Sequence, residues 1–232
     1  MNTLLLLPGS FSRDSATVEG EAYHHLFRVK RLQAGDELRV VDGRGAARAA
    51  RVESVGKREA RLVLGEVAPA REPDRFVELF VATPKPERAA WLVEKATELG
   101  VVAIRFVSTD REARSLSESQ IARLQRIAVS AVEQCGRSVL PPVLGVGGLR
   151  EAVFRTGEVN APIAVLDASG GGARPAVDAG GRIALFVGPE GGWSAEELSF
   201  FVERALFLWA LGPTVLRVET AAIVAAGIVL AG

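Results

Sequence analysis

Two blocks near the carboxyl end decide the fold: Ile183-Ala-Leu-Phe-Val-Gly-Pro-Glu-Gly-Gly192-Trp-Ser-Ala-Glu-Glu197 and Leu211-Gly-Pro-Thr-Val-Leu-Arg-Val-Glu-Thr-Ala-Ala222. The first opens with the apolar run Ile183–Val187, whose length and β-propensity predict a buried strand. It breaks at Gly188-Pro189 and restarts at Ser194, whose hydroxyl can cap a helix with Glu197 three residues on. The second repeats the layout, with an apolar run Leu206–Leu211, a break at Gly212-Pro213 and a helical restart near Glu219. Two neighbouring strands are thus expected to deliver two Gly/Pro loops to one edge of a sheet. The crevice outside the carboxyl ends of strands is where open α/β sheets bind ligands.

The loops narrow the ligand by what they lack. Neither reads G-x-x-x-x-G-K-[ST], and neither is the G-x-G-x-x-G dinucleotide fingerprint. Gly191-Gly192 leaves backbone amides and carbonyls bare, so they can hydrogen-bond a planar ring without side-chain interference. Either loop alone also reads as an ordinary strand-to-helix turn.

GPEGGWSAEE followed by LGPTVLRVETA resembles the cofactor signature of the SPOUT class of RNA methyltransferases. Within that class it is most similar to the RsmE family of 16S ribosomal RNA uridine-N3 methyltransferases. Three upstream segments are similar too: Val29–Asp36 (VKRLQAGD), Glu94–Gly100 (EKATELG) and Ala131–Arg137 (AVEQCGR). The resemblance implies S-adenosylmethionine as cofactor and 16S ribosomal RNA, or the small ribosomal subunit, as substrate. It also implies a homodimer with sites drawn from both subunits. The fold it implies is α/β: a small N-terminal PUA-like RNA-binding β-barrel, then a SPOUT domain with a parallel sheet and a C-terminal trefoil knot. Its cofactor site would use Leu166, Val187, Gly188, Pro189, Glu190, Gly191, Gly192, Leu211, Gly212, Leu216, Arg217 and Thr220, with Asp167 beside Leu166. The EQ-x-x-R pattern implies a substrate-facing role for Gln134 and Arg137.

Composition sets outer bounds. The 232 residues are 48% hydrophobic and 24% charged, ordinary for a globular protein long enough to bury a core. Leu4–Leu7 is too short for a signal segment, and no apolar run approaches the roughly 18 residues of a membrane span. One cysteine, Cys135, allows no internal disulfide and fits a reducing cytosol, so a cytoplasmic protein is expected. With only His24, His25 and Cys135 as strong nitrogen or sulfur ligands, no metal site is expected. Net charge is zero, so an RNA site must be a local patch.

Residues 1–70 read as short strands around one helix over Glu21–Val29. Strands are expected at Leu4–Leu7, from Arg39, and over the alternating runs Ala46–Val55 and Glu59–Val67 at hairpin spacing. Arg28, Lys30 and Arg31 read either as a helix end favourably placed at the dipole or as a phosphate-positioning patch. Residues 71–75 form a polar, Pro-containing linker. Beyond it, over 76–232, strand–helix alternation predicts parallel strands: Phe76–Ala82, a helix from Pro86 to Gly100, and Val101–Val107. A polar loop then holds Arg111 and Arg114, two further RNA candidates. Ser117 with Gln120 can cap a helix reaching Cys135. Leu149–Arg155 reads as a short helix, Pro162–Ala168 as a strand, and Ser169–Ala173 as a mobile glycine-rich connection.

Methyl transfer to a ring nitrogen needs in-line positioning and removal of a proton. Glu133 and Glu219 are the candidate proton acceptors, and Arg217 grips either the cofactor carboxylate or substrate. Arg137 and Arg217 complete the catalytic set. Glu190 could take a ribose hydroxyl or sit near the sulfonium. Glu219 could instead cap the last helix, and an Arg could stabilise the uridine anion while water takes the proton. Other readings are a non-catalytic RNA-binding protein and a metabolite enzyme on a nucleotide fold. Intact loops oppose the first, and missing phosphate fingerprints oppose the second.

Overall fold

A computed structural model describes residues 2–6, 14–158 and 161–232, with Glu158 described by its backbone alone. They form two compact units: Met1–Glu72 with Val129–Leu140, and Pro73–Ala128 with Pro141–Gly232. The segment 129–140, read from sequence as part of the later domain, packs within the first unit.

The first unit holds five strands: β1 (Asn2–Leu5), β2 (Ser15–Glu19), β3 (Glu37–Val41), β4 (Ala47–Val55) and β5 (Glu59–Val67), in the order β1-β3-β4-β5-β2. Leu7 of the expected first strand lies outside the described residues. The hairpin β4–β5 follows its alternating pattern, burying Ala50, Val52, Ala60, Leu62 and Leu64 on one face while the intervening residues face solvent. The expected helix is an α-helical turn, α1 (Gly20–Tyr23), that widens into a π-helical segment over His24–Val29. It drops Tyr23, Leu26 and Phe27 onto the sheet core. The Tyr23 hydroxyl donates to the Gly56 carbonyl at 2.6 Å, tying this helix to the hairpin turn.

Segment 129–140 is bound to the first unit by two carboxylates. Glu72 Oε2 accepts from Arg137 Nε (2.9 Å) and Nη2 (2.7 Å), while its Oε1 accepts the N–H groups of Ser138 (2.7 Å) and Val139 (2.9 Å). Glu133 Oε1 accepts the Leu5 N–H at 3.1 Å. Burial pushes the Glu133 carboxyl above its usual range, against the opposing pull of the Leu5 N–H and of the charges on His25 and Lys30.

The second unit is a six-stranded sheet in the order β11-β9-β10-β6-β7-β8, every pair parallel. Its strands are β6 (Phe76–Ala82), β7 (Ala103–Ser108), β8 (Val143–Gly148), β9 (Ile163–Gly171), β10 (Arg182–Val187) and β11 (Phe207–Trp209). Its helices are α2 (Pro86–Leu99), the start of α3 (Glu118–Cys135), α4 (Leu149–Glu158), α5 (Ala195–Glu203) and α6 (Val218–Leu230). Helix α6 packs on α2 and on strands β6 and β10. On the other face Phe80 and Phe186 stack with centroids 4.4 Å apart, in a cluster with Leu149 and Val153 of α4 and Phe200 and Phe201 of α5.

Strands β10 and β11 are not neighbours, because β9 lies between them. The glycines after Asp167 are not a mobile connection, because β9 continues to Gly171. A Cβ on Gly170 would sit 2.4 Å from the Leu208 carbonyl carbon, so glycine is what lets β9 lie against β11.

Gly170→Ala is therefore expected to lower unfolding free energy by about 1–3 kcal/mol, read from urea midpoints. The same change at Gly172, whose added Cβ meets nothing within 4 Å, should leave the midpoint unchanged. Glu133 gives a pH prediction. A carboxyl raised by folding stabilises below its ordinary value of 4.5 and loses that contribution as pH rises through its folded value. Relative to Glu133→Gln, the unsubstituted chain should lose stability as pH climbs from acid toward neutral, measured by urea titrations at each pH.

Candidate active site

Parallel strands place the loops that follow them at one edge of the sheet, and the first Gly/Pro loop leaves β10 there. It turns at Gly192 (φ 72), whose N–H donates to the Pro189 carbonyl at 2.9 Å. Trp193 is buried, donates Nε1–H to the Leu166 carbonyl at 2.9 Å and meets Phe201 edge-on at 5.0 Å. A Cβ on Gly188 would lie 2.9 Å from the Trp193 ring. Gly188 thus makes room for the tryptophan that anchors the loop to the end of β9.

The capping box expected from Ser194 and Glu197 forms as read. Ser194 Oγ accepts the Glu197 N–H at 3.0 Å, and Glu197 Oε2 accepts the Ser194 N–H at 2.8 Å. The loop after β7 joins it: Ser194 Oγ donates to Asp110 Oδ2 (2.5 Å) and the Asp110 N–H to Glu197 Oε1 (3.0 Å). This brings Arg111 onto the first loop, where its guanidinium donates to the Gly191 carbonyl. Arg111, read as an RNA contact, thus braces the first Gly/Pro loop. Arg114 is exposed and pairs with Glu112 at 3.7 Å.

The second loop leaves β11 and enters α6 at Arg217, an exposed N-cap residue without a side-chain cap bond. Leu211 and Leu216 are half-buried, Gly212 is exposed, and a Cβ on Gly212 would meet nothing within 4 Å. Thr220 is half-buried in the first turn of α6. Glu219 lies in that same turn, buried at 8% exposure, where its negative charge suits the helix dipole. Its Oε2 is buried and has no partner among the described residues.

The two loops meet at a residue the sequence reading did not select. Arg88, third in α2, makes an ion pair with Glu190 of the first loop and lies 3.6 Å from Glu219 Oε1 through its Nε. The signal was available: α2 follows β6, so its first turn belongs to the same carboxyl edge as both loops. The apolar face of α2, its stronger pattern, does not point to Arg88.

The remaining predicted residues lie in the first unit. Arg28, Lys30 and Arg31 are exposed; Arg28 donates to the Lys57 carbonyl at 2.8 Å and sits 5.5 Å from the Tyr23 ring centroid. Gln134 is exposed. Arg137, expected to face substrate, is only 3% exposed and pairs with Glu72. Its charge anchors segment 129–140, because a buried guanidinium needs a carboxylate beside it.

A cavity of about 690 Å³ opens in the second unit between α4 and the first residues of the strands, lined by Phe76, Phe80, Arg105, Glu151 and Arg182. None of the predicted site residues lines it, and it lies at the amino ends of the strands rather than at the loops. Among the described residues no group of three or more His, Cys, Asp or Glu side chains is placed to hold a metal ion.

The loops offer two carboxylates, one with an acceptor oxygen that has no donor among the described residues, and open space beside Gly212. That set suits a cationic ligand with hydroxyl or amine donors and a planar ring.

Comparison with known proteins agrees. A family model described as an RNA methyltransferase domain matches residues 71–230, and one described as an RNA methyltransferase PUA domain matches residues 18–65. A ribosomal RNA small subunit methyltransferase E from Synechocystis sp. is 32% identical over 235 residues, covering 96% of this chain and 75% of the relative. The protein of the same name from Mycobacterium bovis is 35% identical over 228 residues, covering 92% and 85%. The crystal structure of a ribosomal RNA small subunit methyltransferase E from Neisseria gonorrhoeae, bound to S-adenosyl methionine, superposes with a TM-score of 0.85 at 28% identity, covering 98% of this chain and 96% of that one. The capped loop after β10, the second loop entering α6 and the N-terminal sheet thus sit in a chain that belongs to the ribosomal RNA small subunit methyltransferase E family.

Proposed function

We propose that this protein methylates N3 of a uridine in 16S ribosomal RNA, using S-adenosylmethionine held by the two Gly/Pro loops. The cofactor supplies an activated methyl group; the chain supplies position and a proton acceptor. Backbone groups of Gly188, Gly191, Gly192, Leu211, Gly212 and Leu216 would hold adenine and ribose, with Val187, Pro189 and Thr220 at the rims of the loops. Glu190 places negative charge where a sulfonium is favoured. Arg217, exposed at the N-cap of α6, is left for the cofactor carboxylate or for substrate.

The observation that carries the reading is Glu219 Oε2, a buried carboxylate oxygen with no donor among the described residues, at the entrance of α6. An unpartnered buried acceptor is costly, about 1–3 kcal/mol for an ordinary polar group and more for a charge. A uridine N3–H would supply the missing donor, and the same oxygen can then take the proton. Glu133 is the weaker candidate, since one of its oxygens is engaged by the Leu5 N–H.

RNA docking is assigned to the exposed Arg28, Lys30 and Arg31, which the match to an RNA methyltransferase PUA domain supports. A homodimer is proposed on the apolar pair Val224 and Ile228, which α6 leaves 38% and 39% exposed four residues apart. No helix among the described residues is long and apolar enough to cross a membrane, and a cytoplasmic location is proposed with the ribosomal substrate.

Mass spectrometry of 16S ribosomal RNA from a deletion strain should show one methyluridine lost, restored by the unsubstituted gene. Glu219→Gln should fail to restore it and should slow single-turnover methylation by about 10²- to 10⁴-fold, with cofactor affinity little changed in calorimetry. Replacing Arg28 and Arg31 together by Ala should weaken RNA binding and flatten its salt dependence, with cofactor affinity unaltered.

A further inference from the structure

The geometry points to Arg88 as a positioning residue that sets both loops at once, fixing Glu190 for cofactor binding and Glu219 for proton removal. This rests on the assignment of the cofactor to those loops. Three observations support it.

The first is the span of a single side chain. Arg88 pairs with Glu190 after β10 and lies 3.6 Å from Glu219 after β11. A guanidinium presents five donors in a planar fork, so it can serve two carboxylates that would otherwise repel each other.

The second is the asymmetry of the two acids. The Glu190 side chain is 60% exposed and that of Glu219 10%. An exposed pair in water contributes little by itself, whereas a buried carboxylate depends on its counter-charge. Arg88 is the one cation recorded within ion-pair distance of Glu219 among the described residues. Without it, Glu219 would lose its orientation or draw in water.

The third is where Arg88 sits. In the first turn of α2 a cation opposes the helix dipole, and that turn favours acids. A locally disfavoured residue is expected where a site requires it. The two carboxylates supply the compensation, and they come from outside the helix.

The consequence is a division of effect between two partners. Through Glu190, Arg88 holds the first loop in its binding geometry. Through Glu219, it aims the acceptor oxygen. Arg88→Gln is expected to weaken cofactor binding about tenfold and to slow single-turnover methylation about 10- to 100-fold, as loss of one charged positioning contact does. Arg88→Lys, a point charge that reaches one acid at a time, should recover only one of the two losses.

The test is a pair of double-mutant cycles on the full-length protein. Calorimetry with S-adenosylmethionine compares Arg88→Gln alone and in a Glu190→Gln background, and rapid-quench methylation compares it alone and in a Glu219→Gln background. The expected result is that Arg88→Gln adds little further loss of affinity once Glu190 is neutral, and little further loss of rate once Glu219 is neutral. Thermal midpoints should stay within a few degrees of the unsubstituted chain, which separates positioning from general damage. Losses that simply add in both cycles, or an Arg88→Gln protein with unchanged affinity and rate, would overturn the inference. If the unsubstituted chain itself binds no S-adenosylmethionine, the cofactor assignment fails instead.

Discussion

The constraint on which the rest depends is that β10 is paired in parallel on both sides, with β9 and β6. Ile183–Val187 are all at most 2% exposed, so this strand has no polar face and must lie within the sheet, covered above and below. Every neighbour then runs the same way, and each chain segment leaving a strand emerges at one edge. That geometry gathers the turn before α2, the loop holding Asp110 and Arg111, the Gly188–Trp193 loop and the entry to α6. Residues far apart in sequence become one site because the sheet has a direction.

Elements whose signals are local were legible. Phe76–Ala82 and the helix ending at Gly100 match their boundaries, since Gly100 adopts φ 108 there, a conformation that favours glycine. Both capping boxes, Ser117 with Gln120 and Ser194 with Glu197, depend on three-residue spacings and form as read. Elements whose signals are non-local were not. Strand β8, Val-Leu-Gly-Val-Gly-Gly, carries half its length as glycine, so propensity argues against it and pairing with β7 makes it. The place of β9 between β10 and β11 follows from the clearance at Gly170, and single-chain periodicity holds no trace of strand order.

Within the site, backbone roles were easier to read than arginine roles. Glycines announce bare backbone wherever they cluster, and Gly188 and Gly192 each answer to a specific demand, one for the Trp193 ring and one for a left-handed turn. A guanidinium serves equally for phosphate, carbonyl or carboxylate, so its partner decides its use. Arg137 is taken by Glu72, and Arg111 by the Gly191 carbonyl. Among the described residues, exposed arginines such as Arg28, Arg31 and Arg217 are the ones a large polyanion could reach. Arg88, which no motif flagged, meets both loop acids.

Proton removal separates the two acidic candidates by the same reasoning. Glu133 is pushed above the usual carboxylate range by burial, the direction that suits a general base. Yet its bond to Leu5 gives it work inside the first unit: it holds β1 to the end of α3. Glu219 has no such employment for its second oxygen, although folding has removed that oxygen from water. A helix cap would leave the carboxylate bonded to backbone N–H groups, as Glu197 is at the start of α5. Glu219 makes no such bond among the described residues, so capping does not account for its burial. Under the proposed function a donor arriving with substrate, the N–H of the uracil ring, would occupy that oxygen.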